Sequence, residues 1–149
     1  MEISDDLSKL FVRDLEVLRK EVLQYKDEIT LWVKRGEINN SSGNLALHIC
    51  GNLQHFIGSV LLGNGYVRDR KFEFEGKVNR DQVLSEIDET LEVVKSFFIE
   101  ASTALYLEKY PLEVLGSEMS IFYFLVHLHG HLNYHLGQIN YHRRIMEFG

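Results

Sequence analysis

The 149-residue chain has a single cysteine, a single proline and a single tryptophan. Cys50 alone cannot form an internal disulfide, which fits a reducing compartment and sets the expectation of a cytoplasmic protein. With Pro111 as the one proline, long stretches are free to run as helix. No apolar run is long enough to span a bilayer, so no membrane partner is expected. The N-terminal stretch is acidic and interrupted, without the basic start and apolar run of a secretion signal. Positive charge is also scarce: 16 Lys and Arg stand against 22 Asp and Glu, a net charge of −6. Basic residues gather only in short groups, Arg68/Arg70/Lys71 and Arg143/Arg144, and the second pair sits where a helix end favours cations anyway. Without a basic stripe, nucleic acid is not expected as a partner.

What is present is helical periodicity. The length is that of one domain, 1–149, large enough for a core without cross-links. Leu7, Phe11, Leu15, Leu18, Val22, Tyr25, Ile29 and Trp32 recur at alternating steps of four and three, the seam of a packed helix. Ser4 is the expected N-cap and Gly36 the expected stop. A polar loop follows, then a second helix over 44–62 with interior Gly51 and Gly58. Each glycine costs about 1 kcal/mol against alanine, which makes sense where a neighbour or ligand comes close. Residues 66–77 show no helical period; alternating Phe72 and Phe74 could form a short extended piece, but the stretch is expected as an ordered connection, a crossover or a flap over one end of the bundle. Asn79 and Gln82 form a capping-box pattern, and Val83 to Ala101 give a third helical seam. Residues 103–116 are expected to be irregular or briefly helical, and Ser117 to cap a last helix over 121–146. Two short connections and one longer one, between helices two and three, predict an all-α four-helix bundle.

Five of the seven histidines lie in that last helix: His127, His129, His131, His135 and His142. His131 and His135 share one face, the spacing by which a helix offers two imidazoles to one ion. His127 stands equally four before His131, so spacing leaves both pairs open. All three cannot serve one ion, because His127 and His135 are ~12 Å apart along the axis. His129 faces the other side as a surface or packing residue, and His142 is expected to be solvated near the helix end. The second helix supplies a third ligand from His48 or His55, which are ~10.5 Å apart. Asn52, between them on the same face, is placed to hydrogen-bond a ligand or a metal-held water. Gln138 has the same potential role on the His131 stripe, and Tyr134, beside His135, is a further candidate for the pocket. Cys50 faces away from His48 and is read as packing.

Three neutral imidazoles suit one divalent transition metal, Zn, Ni or Fe, better than Mg or Ca. Three protein ligands leave a coordination position free, the arrangement of catalytic metal. The H-E-x-x-H of zincin proteases and the Glu-x-x-His pairs of di-iron bundles are absent.

His-Leu-Asn-Tyr-His-Leu-Gly-Gln (131–138), preceded by His-Ile-Cys-Gly-Asn-Leu (48–53), resembles the DinB-like superfamily of YfiT-related metal-binding four-helix bundles. The likeness is greatest to a branch of small bacterial proteins with a Gly-Tyr-x-Arg-x-Arg-x-x-Glu-Phe connection, here residues 65–74. The resemblance spans essentially the whole chain. It implies a homodimeric bundle whose metal is held by His48, His131 and His135, preferring these to His127 and His55. It also implies a thiol S-transferase or small-molecule hydrolase acting on a small-molecule substrate, with a low-molecular-weight thiol as one candidate. The competing expectation is a non-catalytic, stress-related dimeric metal-binding bundle, and a third is that no metal binds, which predicts His48 far from His131 and His135. Arg68 and Arg70 could overhang the metal and meet an anionic substrate. Pairing with Asp69, Glu73 or Glu75 to order the connection is the favoured alternative.

Overall fold

The computed structural model describes residues 2–148, and among them the chain is all-helical, without a β-strand. Five α-helices follow one another: α1 (Ile3–Gln24), α2 (Ser42–Leu53), α3 (Arg70–Glu75), α4 (Arg80–Glu100) and α5 (Ile121–Phe148). The predicted seams bury as expected. Phe11, Leu15, Leu18 and Val22 of α1, Val83, Ile87 and Val94 of α4, and Leu128, Leu132 and Ile139 of α5 meet in one core. α1 packs on α4 and α5, and α2 packs on the same two helices from the other side of the chain's order.

Helix α1 ends at Gln24, well short of Gly36. Asp27 caps a 3₁₀ turn, Glu28–Trp32, by accepting from the Ile29 N–H, and an Asp beside free N–H groups competes with continued helix. Tertiary partners take the released backbone: Arg80 donates to the Tyr25 carbonyl at 2.6 Å, and the Lys26 N–H donates to Glu147. Leu31 still reaches the core, but Ile29, counted in the predicted seam, is exposed. Gly36 keeps a turn role instead, at φ +58°. Ser4 is not a cap either. It lies inside α1 with its hydroxyl buried against the Phe98 and Ala101 carbonyls and the Tyr106 hydroxyl, tying α1 to the end of α4.

Ser41 caps α2, accepting from the Asn44 N–H at 3.2 Å, so the helix starts two residues before the expected 44. Its last part, Gln54–Ser59, widens into a π-helical turn. Trp32 lies over Gly43, where a Cβ would meet the indole at 2.6 Å. The Asn79–Gln82 capping box opens α4 as expected, with both reciprocal bonds present. Residues 103–107 form a 3₁₀ turn. Ser120, not Ser117, caps α5 by accepting from the Tyr123 N–H at 3.0 Å, while Glu118 pairs with Lys109.

The main departure is residues 66–77. This ordered connection contains a short helix, α3, that no sequence period announces, capped by Asp69 through the Phe72 N–H. Asn44 of α2 donates to the Glu73 and Gly76 carbonyls and pins α3 against α2. No helix is long and apolar enough to cross a membrane among the described residues.

Candidate metal centre

α2 and α5 run antiparallel. Tyr25 links Ser42 to His142 at one end, and Phe56 meets Phe124 toward the other. Between them His48 lies opposite His131 and His135. His48 Nε2 is 3.2 Å from His131 Nε2, which is 3.0 Å from His135 Nε2. His48 is buried and the other two are half-buried, and ligand atoms of all three lie within 4.8 Å of one another. Two nitrogens bound ~2.05 Å from one zinc-sized ion stand ~2.9 Å apart at a right angle and ~3.4 Å apart in a tetrahedron. The two observed separations fall in that interval. The cluster could therefore hold a metal ion.

The far side of each ring decides which nitrogen is available. His48 Nδ1 is 2.9 Å from Glu73 Oε1, and an ionised carboxylate only accepts, so Nδ1 carries the proton and Nε2 keeps its lone pair. Arg68 Nη2 is also near Nδ1, at 3.3 Å, but it can only donate. The shorter, charge-assisted bond to Glu73 therefore sets the tautomer. His135 Nδ1 donates to Gln138 Oε1 at 2.7 Å, which frees its Nε2 in the same way. Burial, reinforced by the neighbouring imidazoles, pushes His131 down to about 4, and burial also lowers His135 against the opposing pull of Gln138. At neutral pH these two rings are neutral, and the lone pairs freed on His48 and His135 both face His131 Nε2.

Glu73, named from the sequence only as a candidate partner for Arg68, also stands behind His48, a role the sequence reading missed. Burial on its own would raise its pKa, but hydrogen bonds from His48 and Arg68 and the Arg68 charge hold it below the usual carboxylate range. Arg68 grips it twice, Nε to Oε2 and Nη2 to Oε1, both at 2.8 Å. Both side chains are buried, so the favoured loop-ordering reading of Arg68 holds, and Arg68 is not free for an anionic substrate. Gly51, one turn on from His48, makes room for this carboxylate, since a Cβ there would stand 2.6 Å from Glu73 Cδ and closer still to Oε2. The expectation that something comes close at Gly51 is met by a side chain of α3. At Gly58 the close neighbours are Asn64 and Val93. Phe74 stacks beside His48, with ring centroids 4.7 Å apart.

Asn52, one turn beyond His48 on the same face, is buried, and its Oδ1 has no hydrogen-bond partner. A spare buried acceptor beside the imidazoles fits a bound ligand N–H or O–H. Tyr134 is exposed, its ring 5.3 Å from His135. Arg70 lies over the Phe74 ring. Gln138 orients a histidine rather than a water. Cys50 is buried, and burial pushes its thiol up to about 12, as suits a packing residue.

The remaining histidines separate cleanly. His127 is exposed and stacked on Phe124, and His55 lies against Phe56. His129 packs edge-on to Phe11 and bonds Asp14 at 2.7 Å. His142 is not solvated. It is buried, with Nε2–H donating to the Val33 carbonyl and Nδ1 accepting from Tyr25. With the Tyr25 proton so committed, Ser42 donates to the Tyr25 oxygen, 2.7 Å away. Comparison with family models, with curated proteins and with solved structures finds no match.

Proposed function

We propose that the protein is a metal-dependent enzyme of DinB-like type, with one divalent transition metal held by Nε2 of His48, His131 and His135. In this reading the chain is a single domain in which α1, α2, α4 and α5 make a four-helix bundle, and the long second connection carries α3. One observation supports it above the rest. His48 and His135, whose protons are held on the far side by Glu73 and Gln138, each turn Nε2 toward His131 Nε2, at 3.2 and 3.0 Å. The lone pairs of His48 and His135 thus both face His131 Nε2, where either the His131 proton or a shared cation satisfies them. An all-nitrogen donor set selects Zn, Ni or Fe over oxygen-seeking Mg and Ca.

A divalent ion with three imidazole ligands supplies Lewis acidity and lowers the pKa of a nucleophile at its open position. The chain's own groups do the rest. Glu73 holds the His48 proton on Nδ1, and Arg68 keeps Glu73 ionised and in place. Gln138 fixes the His135 ring, and Asn52 Oδ1 is an acceptor for a substrate O–H or N–H. The half-exposure of His131 and His135 leaves one side of the cluster accessible, which favours a catalytic role over a sealed structural one. Thiol S-transfer and small-molecule hydrolysis both use such a site; the proposed setting is a cytoplasmic homodimer.

The test is metal content of tag-free protein. The wild type is expected to hold one equivalent of transition metal, His135→Ala to lose it, and His127→Ala to keep it. A metal-free wild type, or a His135→Ala protein that still binds one equivalent, refutes the site.

A further inference from the structure

A cavity of about 390 Å³ lies between α2, α5 and the loop before α2, toward the α5 C-terminus from the histidine cluster. Its walls include Ile38 and Asn39 of the loop before α2, Leu45 of α2, and Gln138, Tyr141 and Ile145 of α5. Leu45 stands three residues before His48, and Gln138 three after His135. Because α2 and α5 are antiparallel, both steps go the same way, so both wall residues lie about one helical turn, an axial rise of ~4.5 Å, along from the cluster histidines.

The chemistry of the lining is specific. Gln138 gives its Oε1 to His135, so the group it has left for the cavity is its NH₂, a donor. His142 also lines the cavity, but both its nitrogens are committed, to Tyr25 and Val33, so it offers only a ring surface. Ile38, Leu45, Ile145 and Tyr141 supply apolar area. Glu37 is the one acid of the lining, and no lysine or arginine belongs to it. Of the neighbouring guanidinium groups, Arg68 is locked on Glu73 and Arg143 on Glu21, while Arg144 lies over the Tyr141 ring outside the lining. Within the lining an anion would meet a carboxylate and no lysine or arginine.

We propose that this cavity is the substrate site, and that it takes a small neutral or amine-bearing molecule rather than a phosphate or polycarboxylate. An oxygen acceptor of that molecule faces the Gln138 amide, the apolar part lies against Ile38 and Ile145, and an amine is matched by Glu37. That its reactive end meets a metal rests on the function proposed above; the cavity and its charge do not.

Protein loaded with Co²⁺ is titrated with two small thiols, 2-aminoethanethiol and mercaptosuccinate, the sulfur serving as a coloured anchor on the ion. Affinity is read from the sulfur-to-cobalt charge-transfer band, and location from backbone amide shifts. The amine is expected to bind about tenfold tighter than the dicarboxylate and to shift amides in 37–40 and 141–145. Glu37→Lys should reverse the order. Ile145→Trp, at a partly exposed position that tolerates bulk, should weaken both probes about tenfold with Co²⁺ stoichiometry unchanged. Equal binding of the two thiols, or affinities untouched by both variants, overturns the proposal. If no Co²⁺ is taken up, the metal reading fails on its own. The cavity is then judged in the metal-free protein by the same amide shifts under saturating 2-aminoethanethiol, whose absence overturns it.

Discussion

Glu73→Gln separates the two jobs of this carboxylate. Arg68 and Glu73 make a bidentate pair at 2.8 Å, with side chains only 8% and 4% exposed. Removing one member of a buried pair leaves an uncompensated charge and costs about 3–5 kcal/mol. Glutamine keeps one acceptor for Arg68 or for His48, so the lower end, about 3 kcal/mol, is expected for the metal-free protein. The second cost falls on the metal. The carboxylate behind His48 fixes the tautomer and raises ring basicity, and loss of such a partner weakens metal binding about 10- to 100-fold. Denaturant unfolding of the metal-free protein measures the first effect, and competition with a chromogenic chelator the second. The double variant Arg68→Met/Glu73→Gln tells them apart, because replacing both members of a buried pair by groups without opposed charge is close to neutral for stability. Stability should return while metal affinity stays low. If the double variant binds metal as tightly as wild type, or Glu73→Gln alone stays within twofold of it, then Glu73 is a brace for α3 and does not tune His48.

Gly51→Ala forces the Glu73 carboxylate off its seat against α2. Metal affinity should fall about tenfold through the same partner, whereas Gly137→Ala, where a Cβ meets nothing within 4 Å, should leave it unchanged in the same chelator assay. His142 gives a pH signature. Burial lowers its pKa against the raising effect of its bond to Val33, so the unfolded chain takes the proton first. Stability should therefore be full above about pH 6.5 and decline below it toward the lower folded value. Unfolding curves across that window, with His142→Gln flattening the slope, check the sign; stability that rises on acidification would contradict it. Asp14 adds a separate loss at lower pH. Burial opposes its ionisation, but bonds from Arg13, Asn133 and His129 outweigh that and hold its pKa below the ordinary value. Asp14→Asn should remove the part of the acid loss that begins below about pH 4.

How much of this was legible in the sequence depended on range. The seams of α1, α4 and α5, the capping box at Asn79 and the facing of His131 and His135 follow from 3.6-residue periodicity and local hydrogen bonding, which neighbours along the chain determine. So did the exclusion of His129 from the His131 face. Which i, i+4 pair meets His48 did not follow from spacing, because His127 and His135 are equivalent until α2 is set antiparallel to α5. Residues 70–75 are too short to be stable helix alone, since nucleation outweighs the bonds of so few residues. α3 exists because Asn44, His48 and Gly51 receive it, and a docked helix leaves no period in the sequence. For the same reason the sequence offered Glu73 only as a partner for Arg68, not as the group behind His48. The early end of α1 and the burial of His142 are likewise tertiary outcomes, decided by Arg80, Tyr25 and Val33 from distant parts of the chain. The sequence by itself set the helices and the histidine stripe; the packing of α3 and α5 on α2 decided which imidazoles converge, which nitrogen each presents, and what stands behind them.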